Sequence, residues 1–403
     1  MTSTTEGPAP TKVKATAFFI ALLAALSAIG QFATNIYLPA LPFISEELGA
    51  GPSQAQLTLT AYLGAFAITQ IVFGPVSDRF GRRIVLYFGL AVFIGGSAVC
   101  YAAGSIEALI GGRVLQAIGG GACTVAARAV VRDSFDGPAL QKVMALIAIL
   151  FALVPGLTPL FGGLLQEFAG WRIIFGATGA FGALIAVLTI SRLPETLANP
   201  LSRLDVAELA RGYRIVCSNR AFMRYALMIG LTFVAMFAFF GGSPHTFINY
   251  LDVSPTEYGF YPPLASTGFV IGGVLVRQMT GKISPVGIVY RGLGVLFVAV
   301  SIGLVGVLMG YATVPVYIVS VVLMVAGFGV AMPTAMAGAL QIFPERAGTA
   351  SAVLGFLQMA GGGLGSALVA VWQEDHPFLA FPAIMFGSIV AGALVFVILR
   401  PRN

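Results

Sequence analysis

Charged side chains, cysteines and histidines are all scarce in this chain of 403 residues. Asp, Glu, Lys and Arg together make up only 9% of it, whereas soluble domains carry about 25%. Cys100, Cys123 and Cys217 stand far apart and only two histidines occur, so no spacing is typical of a disulfide framework or a metal site. We therefore expect no metal ion and no cofactor, and a chain too apolar to remain in water.

Motifs of energy-consuming and catalytic proteins are absent as well. No G-x-x-x-x-G-K-[ST] segment occurs, which argues against direct use of ATP by this chain. No nucleophile stands beside a base in a plausible setting, so we predict that the chain is not an enzyme. No selectivity-filter sequence is repeated, which argues against an ion channel.

Apolar residues make up 58% of the chain and fall into long runs with few or no charges. A helix needs about 20 apolar residues to cross a bilayer, and the run 292–344 is long enough for two helices separated at 310–315. The polar start, 1–10, lacks the features of a cleaved signal peptide. We expect an all-α integral membrane protein with twelve transmembrane helices. The runs are 15–45, 48–77, 84–106, 106–131, 143–166, 173–191, 225–251, 258–276, 292–344, 347–373 and 376–399.

Basic residues lie on one side of the predicted membrane. When the loops alternate from a cytoplasmic N-terminus, all Lys and Arg residues except Arg113 and Arg172 fall on the cytoplasmic side. The opposite loops carry acids such as Glu46, Glu167 and Glu374. This asymmetry orients membrane proteins and predicts that both termini are cytoplasmic. The formal charge of +6 is therefore a topology signal, and we expect no nucleic-acid partner.

The longest polar stretch divides the chain into three parts. We predict a six-helix bundle over 1–191, a cytoplasmic linker over 192–220 and a second six-helix bundle over 221–403. Two related halves around a site at the membrane midplane are a common transporter plan. A weak repeat supports this division. The pattern of the loop after the second span recurs after the eighth span, at Gly273, Arg277, Gly281 and Lys282.

The loop after the second span, 74–83, reads G-x-x-x-D-R-x-G-R-R. In this position it resembles the signature loop of the major facilitator superfamily. Other segments resemble the Bcr/CflA-type drug-resistance branch of that superfamily, the twelve-span drug:proton antiporters, and the match covers nearly the whole chain. These segments are 35–42, 113–119, 155–163, 170–172, 193–196 and 347–352.

The resemblance implies a major facilitator fold of two pseudo-symmetric bundles in a bacterial inner membrane. It implies secondary export of hydrophobic or amphipathic small molecules by alternating access, driven by inward proton flow and carried out by a monomer. The partners would be the substrate, protons and the lipid bilayer. A transporter of the same fold for a physiological metabolite, such as an anion, an amino-acid derivative or a sugar, stays open as the alternative.

The signature loop has specific expected contacts. Gly74 would allow close helix approach, and Gly81 a sharp bend. Asp78 would accept hydrogen bonds from the amides that open the eleventh span, and Arg82 would pair with Asp133. By the resemblance, these contacts hold the outward-open state and break during inward opening. The predicted gating residues are Gly74, Asp78, Arg79, Gly81, Arg82, Arg83 and Asp133.

Arg113 is the only ionisable residue well inside a predicted span. A buried cation in a membrane is costly and normally marks function or a partner. Gln116 lies one turn deeper on the same helix face. In the resembled family this arginine lies near an acidic residue of the first span, and that position here is Asn35, with Gln31 one turn away.

Asn35 cannot titrate, so it cannot exchange a proton itself. Three interpretations stay open. Coupling uses another group, for which His245 is the candidate with a suitable pKa; or the chain is a uniporter or a weakly coupled relative; or Asn35 is an engineered substitution that mimics a protonated aspartate.

The substrate cavity should be largely apolar with a few polar contacts. Met and Phe suit adaptable recognition of varied molecules. The predicted substrate-binding residues are Gln31, Asn35, Tyr62, Arg113, Gln116, Met144, Phe237, His245 and Gln358.

Overall fold

The fold is all-helical in a computed structural model that describes residues 16–198, 200–201 and 203–400. The polar start, 1–10, lies outside the described residues. In chain order, the helices are α1 (Ala17–Asn35), α2 (Leu41–Glu47), α3 (Pro52–Phe80), α4 (Arg82–Tyr101), α5 (Ile106–Ser134), α6 (Gly137–Ala169), α7 (Trp171–Arg192), α8 (Val206–Ser218), α9 (Arg220–His245), α10 (Pro255–Met279), α11 (Pro285–Leu308), α12 (Val314–Gln341), α13 (Ala347–Trp372) and α14 (Ala380–Ile398).

Eleven helical segments of the described part are long and apolar enough to cross a membrane. Helix α6, with 33 residues, stands where the remaining span 143–166 was predicted. The predicted all-α membrane fold of twelve spanning helices is therefore confirmed. The long run 292–344 forms two helices as expected, because Gly310 adopts a φ of +85° and ends the first of them.

Two spans are broken near one end. After α1, the chain makes a short 3-10 turn over Leu38–Ala40 and continues as α2, so one apolar run forms two helices. Pro39 and Pro42 supply no backbone N–H and so interrupt the helical hydrogen bonds. Helix α9 likewise widens into a π-helical turn over Thr246–Tyr250 just after Pro244.

The helices pack as two bundles. Helices α1 to α7, which we name the N-half, pack mainly on one another, and so do α9 to α14, the C-half. The halves meet along two helix pairs, α3 with α13 and α6 with α10. We name the end of the bundle that carries residues 74–83 the signature-loop end, and the end that carries Glu47 the opposite end.

Glycines allow α4 and α5 to pack at very short range. A Cβ on Gly119 would lie 2.4 Å from the carbonyl oxygen of Gly89 and 2.4 Å from the amide nitrogen of Phe93. A Cβ on Gly96 would lie 2.5 Å from the amide nitrogen of Gln116. Backbone-to-backbone contact of this kind is typical of membrane helices with small residues at the interface. It places the inner face of α5 directly against α4.

The polar stretch 192–220 contains a helix, α8, that was not predicted from the sequence. Its Tyr213 hydroxyl donates a hydrogen bond of 3.0 Å to the carbonyl oxygen of Ile71 in α3. In a regular helix that carbonyl would accept from residue 75, but Pro75 has no N–H to donate. Tyr213 therefore satisfies the acceptor that Pro75 leaves open. Burial raises the pKa of Tyr213, so the hydroxyl keeps its proton at neutral pH.

Replacing Tyr213 by phenylalanine should lower the stability of the folded chain by about 1 kcal/mol, because the Ile71 carbonyl loses its donor. The same change in a Pro75→Ala background should cost far less, since residue 75 then supplies an N–H to that carbonyl. Apparent Tm values of the four proteins in detergent measure the difference. An equal loss in both backgrounds would mean that the Tyr213 hydroxyl does not act by satisfying the carbonyl that Pro75 leaves open.

Candidate functional site

Arg113 lies at the centre of the N-half and is completely buried. Its guanidinium carbon is 4.1 Å from the ring centroid of Tyr37 and 4.1 Å from that of Tyr62. Nη1 donates to the carbonyl oxygen of Ala33 at 3.0 Å and to Oε1 of Gln116. The cation is thus held between two aromatic faces, whose quadrupoles attract it, and by two neutral oxygens.

The charge of Arg113 is not neutralised by a carboxylate within the described part of the chain. Its Nε and Nη2 atoms are buried and have no hydrogen-bond partner there. A guanidinium cannot lose its proton in a protein, and an uncompensated charge in a poorly polarisable interior is costly. The site is therefore a fixed positive charge with donors available to a further group.

Gln116 connects Arg113 to α4. Its Nε2 donates to Oγ of Ser97 at 2.9 Å, and Ser97 in turn donates to the carbonyl oxygen of Phe93 at 2.8 Å. This series of bonds orients the amide so that its oxygen faces Arg113. Gln116 lies on the same face of α5 as Arg113, as predicted, and the hydrogen bond between them was not predicted.

Asn35 occupies the last turn of α1 and is also fully buried. Its Nδ2 donates to the carbonyl oxygen of Gln31 at 2.7 Å, which fixes the orientation of the amide, and lies 3.4 Å from Oε1 of Gln31. Oδ1 of Asn35 then remains buried without a donor among the described residues. Gln31 itself reaches the C-half, where its Nε2 lies 3.9 Å from Sδ of Met359.

Five of the nine predicted substrate-binding residues form one set around α1: Gln31 and Asn35 hydrogen-bond to each other, and Arg113, which holds Gln116, donates to the backbone carbonyl of Ala33 on the same helix. Tyr62 joins it through its ring on Arg113 and through a hydrogen bond of 2.9 Å from its hydroxyl to the carbonyl oxygen of Gly30. We name this set the Arg113 cluster. Its members are Gln31, Asn35, Tyr62, Arg113 and Gln116.

The other four predicted residues lie outside that cluster. Phe237 is buried between the rings of Phe233 and Phe240 in the C-half. His245 ends α9, with its ring 5.4 Å from that of Tyr250. Gln358 is half-buried, with its Nε2 3.8 Å from Sδ of Met336, and Met144 is half-buried against the apolar core. Their role in binding stays a prediction.

The signature loop is built around Arg82. Its Nε donates to Oδ2 of Asp133 at 2.8 Å, and its Nη1 donates to Oγ of Ser77 at 2.7 Å and to Asp78. The predicted pair of Arg82 and Asp133 is confirmed. Gly81 makes the predicted bend, with a φ of +97°, a region that favours glycine.

The close approach predicted at Gly74 is wrong, because a Cβ there would have no atom of the described residues within 4 Å. Asp78 accepts from Arg82 through its carboxylate and from the amide of Leu201 through its backbone carbonyl, at 3.0 Å. Its predicted contact with the start of the eleventh span stays a prediction. The gating role of the loop, including Arg79 and Arg83, also stays a prediction.

Glu195 is a loop residue that the sequence analysis did not assign a role. Its carboxylate accepts from the backbone N–H groups of Arg82 and Arg83, each at 3.1 Å. These are the first amides of α4, where the helix dipole favours an anion. The sequence pointed to Glu195 only through its place in the segment 193–196, which resembles the drug-resistance branch. Tyr37 and Ser97, which hold Arg113 and Gln116, were missed because nothing in their local sequence marks a partner on another helix.

Direct polar contacts between the halves are found at the opposite end. Ser366 of α13 receives hydrogen bonds from Gln56 at 3.0 Å and Thr60 at 2.9 Å, both on α3. The amide of Ser53 donates to Oε1 of Glu374 at 3.2 Å. Helices α6 and α10 add backbone contact there, since a Cβ on Gly163 would lie 2.3 Å from the carbonyl oxygen of Pro255. The two halves are therefore firmly packed together at this end.

Comparison with known proteins gives relatives along nearly the full chain. Residues 20–366 match the family model described as Major Facilitator Superfamily. The "Uncharacterized MFS-type transporter YdgK" of Bacillus subtilis is 31% identical over 380 residues, which are 93% of each chain. The "Bicyclomycin resistance protein homolog" of Haemophilus influenzae is 28% identical and covers 97% of this chain and 98% of its own. The "Chloramphenicol resistance protein" of Pseudomonas aeruginosa is 29% identical, with 91% and 86% covered.

Solved structures agree on the fold. A bacterial homologue of the human lysosomal transporter Spinster, in an inward-facing and unoccupied conformation, superposes with a TM-score of 0.69 at 17% identity over 95% of both chains. The human organic anion transporter MFSD10 gives 0.70 at 20% identity, with 95% of this chain and 99% of that chain covered. This multi-pass membrane protein therefore belongs to the Major Facilitator Superfamily, in its Bcr/CflA-type drug-resistance branch.

Proposed function

We propose that the chain is a secondary active exporter of hydrophobic and amphipathic small molecules, including antibiotics, and that it works by alternating access. The observation that carries the proposal is the organisation of the two halves. Each is packed internally, and they meet along α3 with α13 and α6 with α10, with polar bonds concentrated at the opposite end. Such an arrangement lets one half rock against the other around a central site.

The proposed direction of transport and the proposed range of substrates are based on the names of the relatives. Two of them are named for resistance to bicyclomycin and chloramphenicol, two compounds of unlike chemistry. In a bacterial inner membrane with both termini cytoplasmic, resistance is achieved by moving the compound outward. Cells expressing the chain should therefore tolerate higher concentrations of such antibiotics, and dye efflux should rise. Unchanged susceptibility across a panel of hydrophobic drugs, with the protein detected in the membrane, would count against drug export.

Protons are proposed as the coupling ion, carried by a group other than Asn35. His245 is the candidate, because it lies on the membrane-spanning helix α9 and imidazole ordinarily titrates near neutral pH. A pH gradient across proteoliposomes should then drive transport by the parent, and His245→Gln should lower the gradient-driven rate at least about tenfold, as expected for loss of a group that transfers protons.

The Asn35→Asp variant tests, in the same assay, the position at which the resembled family has an acidic residue. We expect it to gain a steeper dependence on the pH gradient than the parent, because a carboxylate at position 35 titrates and Asn35 lies in the Arg113 cluster, whose guanidinium has unused donors. Gln at position 35 is the matched control, since it adds bulk without a titrating group. Equal gradient dependence in the parent and in Asn35→Asp would exclude position 35 as a coupling site.

Export of an anionic metabolite is the second candidate, and the state of Arg113 favours it. The buried guanidinium has free Nε and Nη2 donors and no carboxylate partner in the described part of the chain, so a carboxylate on the substrate would complete the site. Competition separates the two candidates. Aromatic carboxylates should block efflux of a neutral dye if the anion is the substrate, whereas neutral analogues of the same shape should be equally effective if Arg113 binds no anion.

A further inference from the structure

A cleft of about 580 Å³ opens on the outer surface of the C-half, remote from the Arg113 cluster. Helices α10 and α11 each pack along α12, and the cleft runs between them. Its walls are apolar apart from one cation, Arg291. Leu275 and Val298, on its two sides, are 38% and 55% exposed. The wall residues used below are Leu275, Met279, Arg291, Gly294, Val298 and Leu323.

The surroundings of the cleft identify the kind of ligand. Helices α10, α11 and α12 are membrane-spanning, so this surface faces acyl chains and not water. The volume lies within the range of protein sites that bind small molecules, about 300–1,000 Å³. An unfilled apolar cleft of this size would deprive its walls of dispersion contacts. A hydrocarbon chain is the ligand that the bilayer supplies at high concentration and that matches these walls.

The charge of the cleft identifies the head group. Arg291 lies in the second turn of α11, at the signature-loop end, and forms no hydrogen bond or ion pair with the residues that the structure describes. Arg277 lies in the last turn of α10, and Lys282 lies in the short connection from α10 to α11, so two more cations precede Arg291 in sequence. Basic pockets between membrane helices on the cytoplasmic side bind anionic lipid head groups, and this end is the predicted cytoplasmic one.

We propose that the cleft between α10 and α11 binds one acyl chain of an anionic phospholipid, with the lipid phosphate against the guanidinium of Arg291. The apolar walls supply affinity for the chain, and Arg291 supplies preference for a negative head group. The site is separate from the transport site, so lipid binding is measurable without transport.

Native mass spectrometry of the full chain in detergent, titrated with dioleoyl phosphatidylglycerol or dioleoyl phosphatidylcholine, tests both parts. We expect the parent to bind phosphatidylglycerol about fivefold more tightly than phosphatidylcholine, the contribution of one cation near a membrane surface. Arg291→Gln should bring the two affinities together. Arg291→Lys, which keeps the charge, should retain most of the preference.

A leucine at position 294 tests whether an acyl chain occupies the cleft. A Cβ on Gly294 meets no atom within 4 Å, so Gly294→Leu fills the cleft without disturbing the helices and should lower the affinity for both lipids severalfold. Gly273 of α10 is the matched control, because its Cβ direction is equally open and it is not part of the cleft wall. Equal lipid binding by Gly294→Leu and Gly273→Leu, or an unchanged lipid preference in Arg291→Gln, would overturn the proposal.

Discussion

Transport is expected to fall at least about tenfold when Arg113 is replaced by methionine, while the apparent Tm in detergent changes by only a few degrees. Two opposite effects on stability explain why the change in apparent Tm is small. Replacing a buried ion pair by apolar side chains is often neutral or stabilising, by about 1–4 kcal/mol, and Arg113 has no carboxylate partner in the described part of the chain whose attraction would be lost. The Ala33 carbonyl and Gln116 each lose a donor, and an unsatisfied buried acceptor costs about 1–3 kcal/mol. We therefore expect the charge of Arg113 to be needed for transport and to contribute little to the net stability of the fold.

The Arg113→Lys variant separates charge from shape. Lysine keeps the positive charge but has no planar guanidinium to lie between the rings of Tyr37 and Tyr62, where the arginine carbon is 4.1 Å from each centroid. If charge alone is required, lysine should retain most of the transport rate. Transport per folded molecule that stays at the parent level in Arg113→Met, together with a large fall in Tm, would reduce Arg113 to a structural residue.

Much of the fold follows from patterns that act along one segment of chain. The spans were predictable because each needs about 20 apolar residues whatever its neighbours are. The bend at Gly81 and the pair of Arg82 with Asp133 followed from a recognisable loop. Gln116 could be placed beside Arg113 because residues three apart share a helix face. In each case, the information lies within a few turns of helix or in a motif of fixed spacing.

What could not be predicted depends on helices that come together only in the folded chain. The rings of Tyr37, in the turn after α1, and of Tyr62, on α3, enclose Arg113 of α5. Tyr213 completes the hydrogen bonding of α3 at Ile71 only because the linker folds back as α8. The error at Gly74 has the same origin, since a glycine in a helix shows that close packing is possible but not on which side a partner lies. Met144 and Gln358 were chosen by residue type, and type alone does not fix the face of a helix.

An alanine at Gly163 should reduce both transport and the population of the present conformation by about tenfold. The new Cβ would lie 2.3 Å from the carbonyl oxygen of Pro255 and 3.2 Å from Cα of Thr256, so only separation of α6 from α10 relieves the clash. Overpacking of this kind costs about 1–3 kcal/mol, and each 1.4 kcal/mol is a tenfold change in population. The state packed at the opposite end is destabilised, whereas a state in which α6 and α10 have moved apart there is not.

Distances between spin labels measure that shift directly. Phe168 and Phe260 are 82% and 56% exposed, one on α6 and the other on α10, so labels on Phe168→Cys and Phe260→Cys report separation of the halves once the exposed Cys217 is replaced by serine. Gly163→Ala should move most of the distribution to longer distances, and Gly95→Ala, whose Cβ meets no atom within 4 Å, should leave it unchanged. Because both variants add one methyl group to a membrane helix, a difference between them isolates contact across the two halves. If both variants give the parent distribution, the packing of α6 on α10 does not control which end is open, and the alternating-access proposal loses its structural basis.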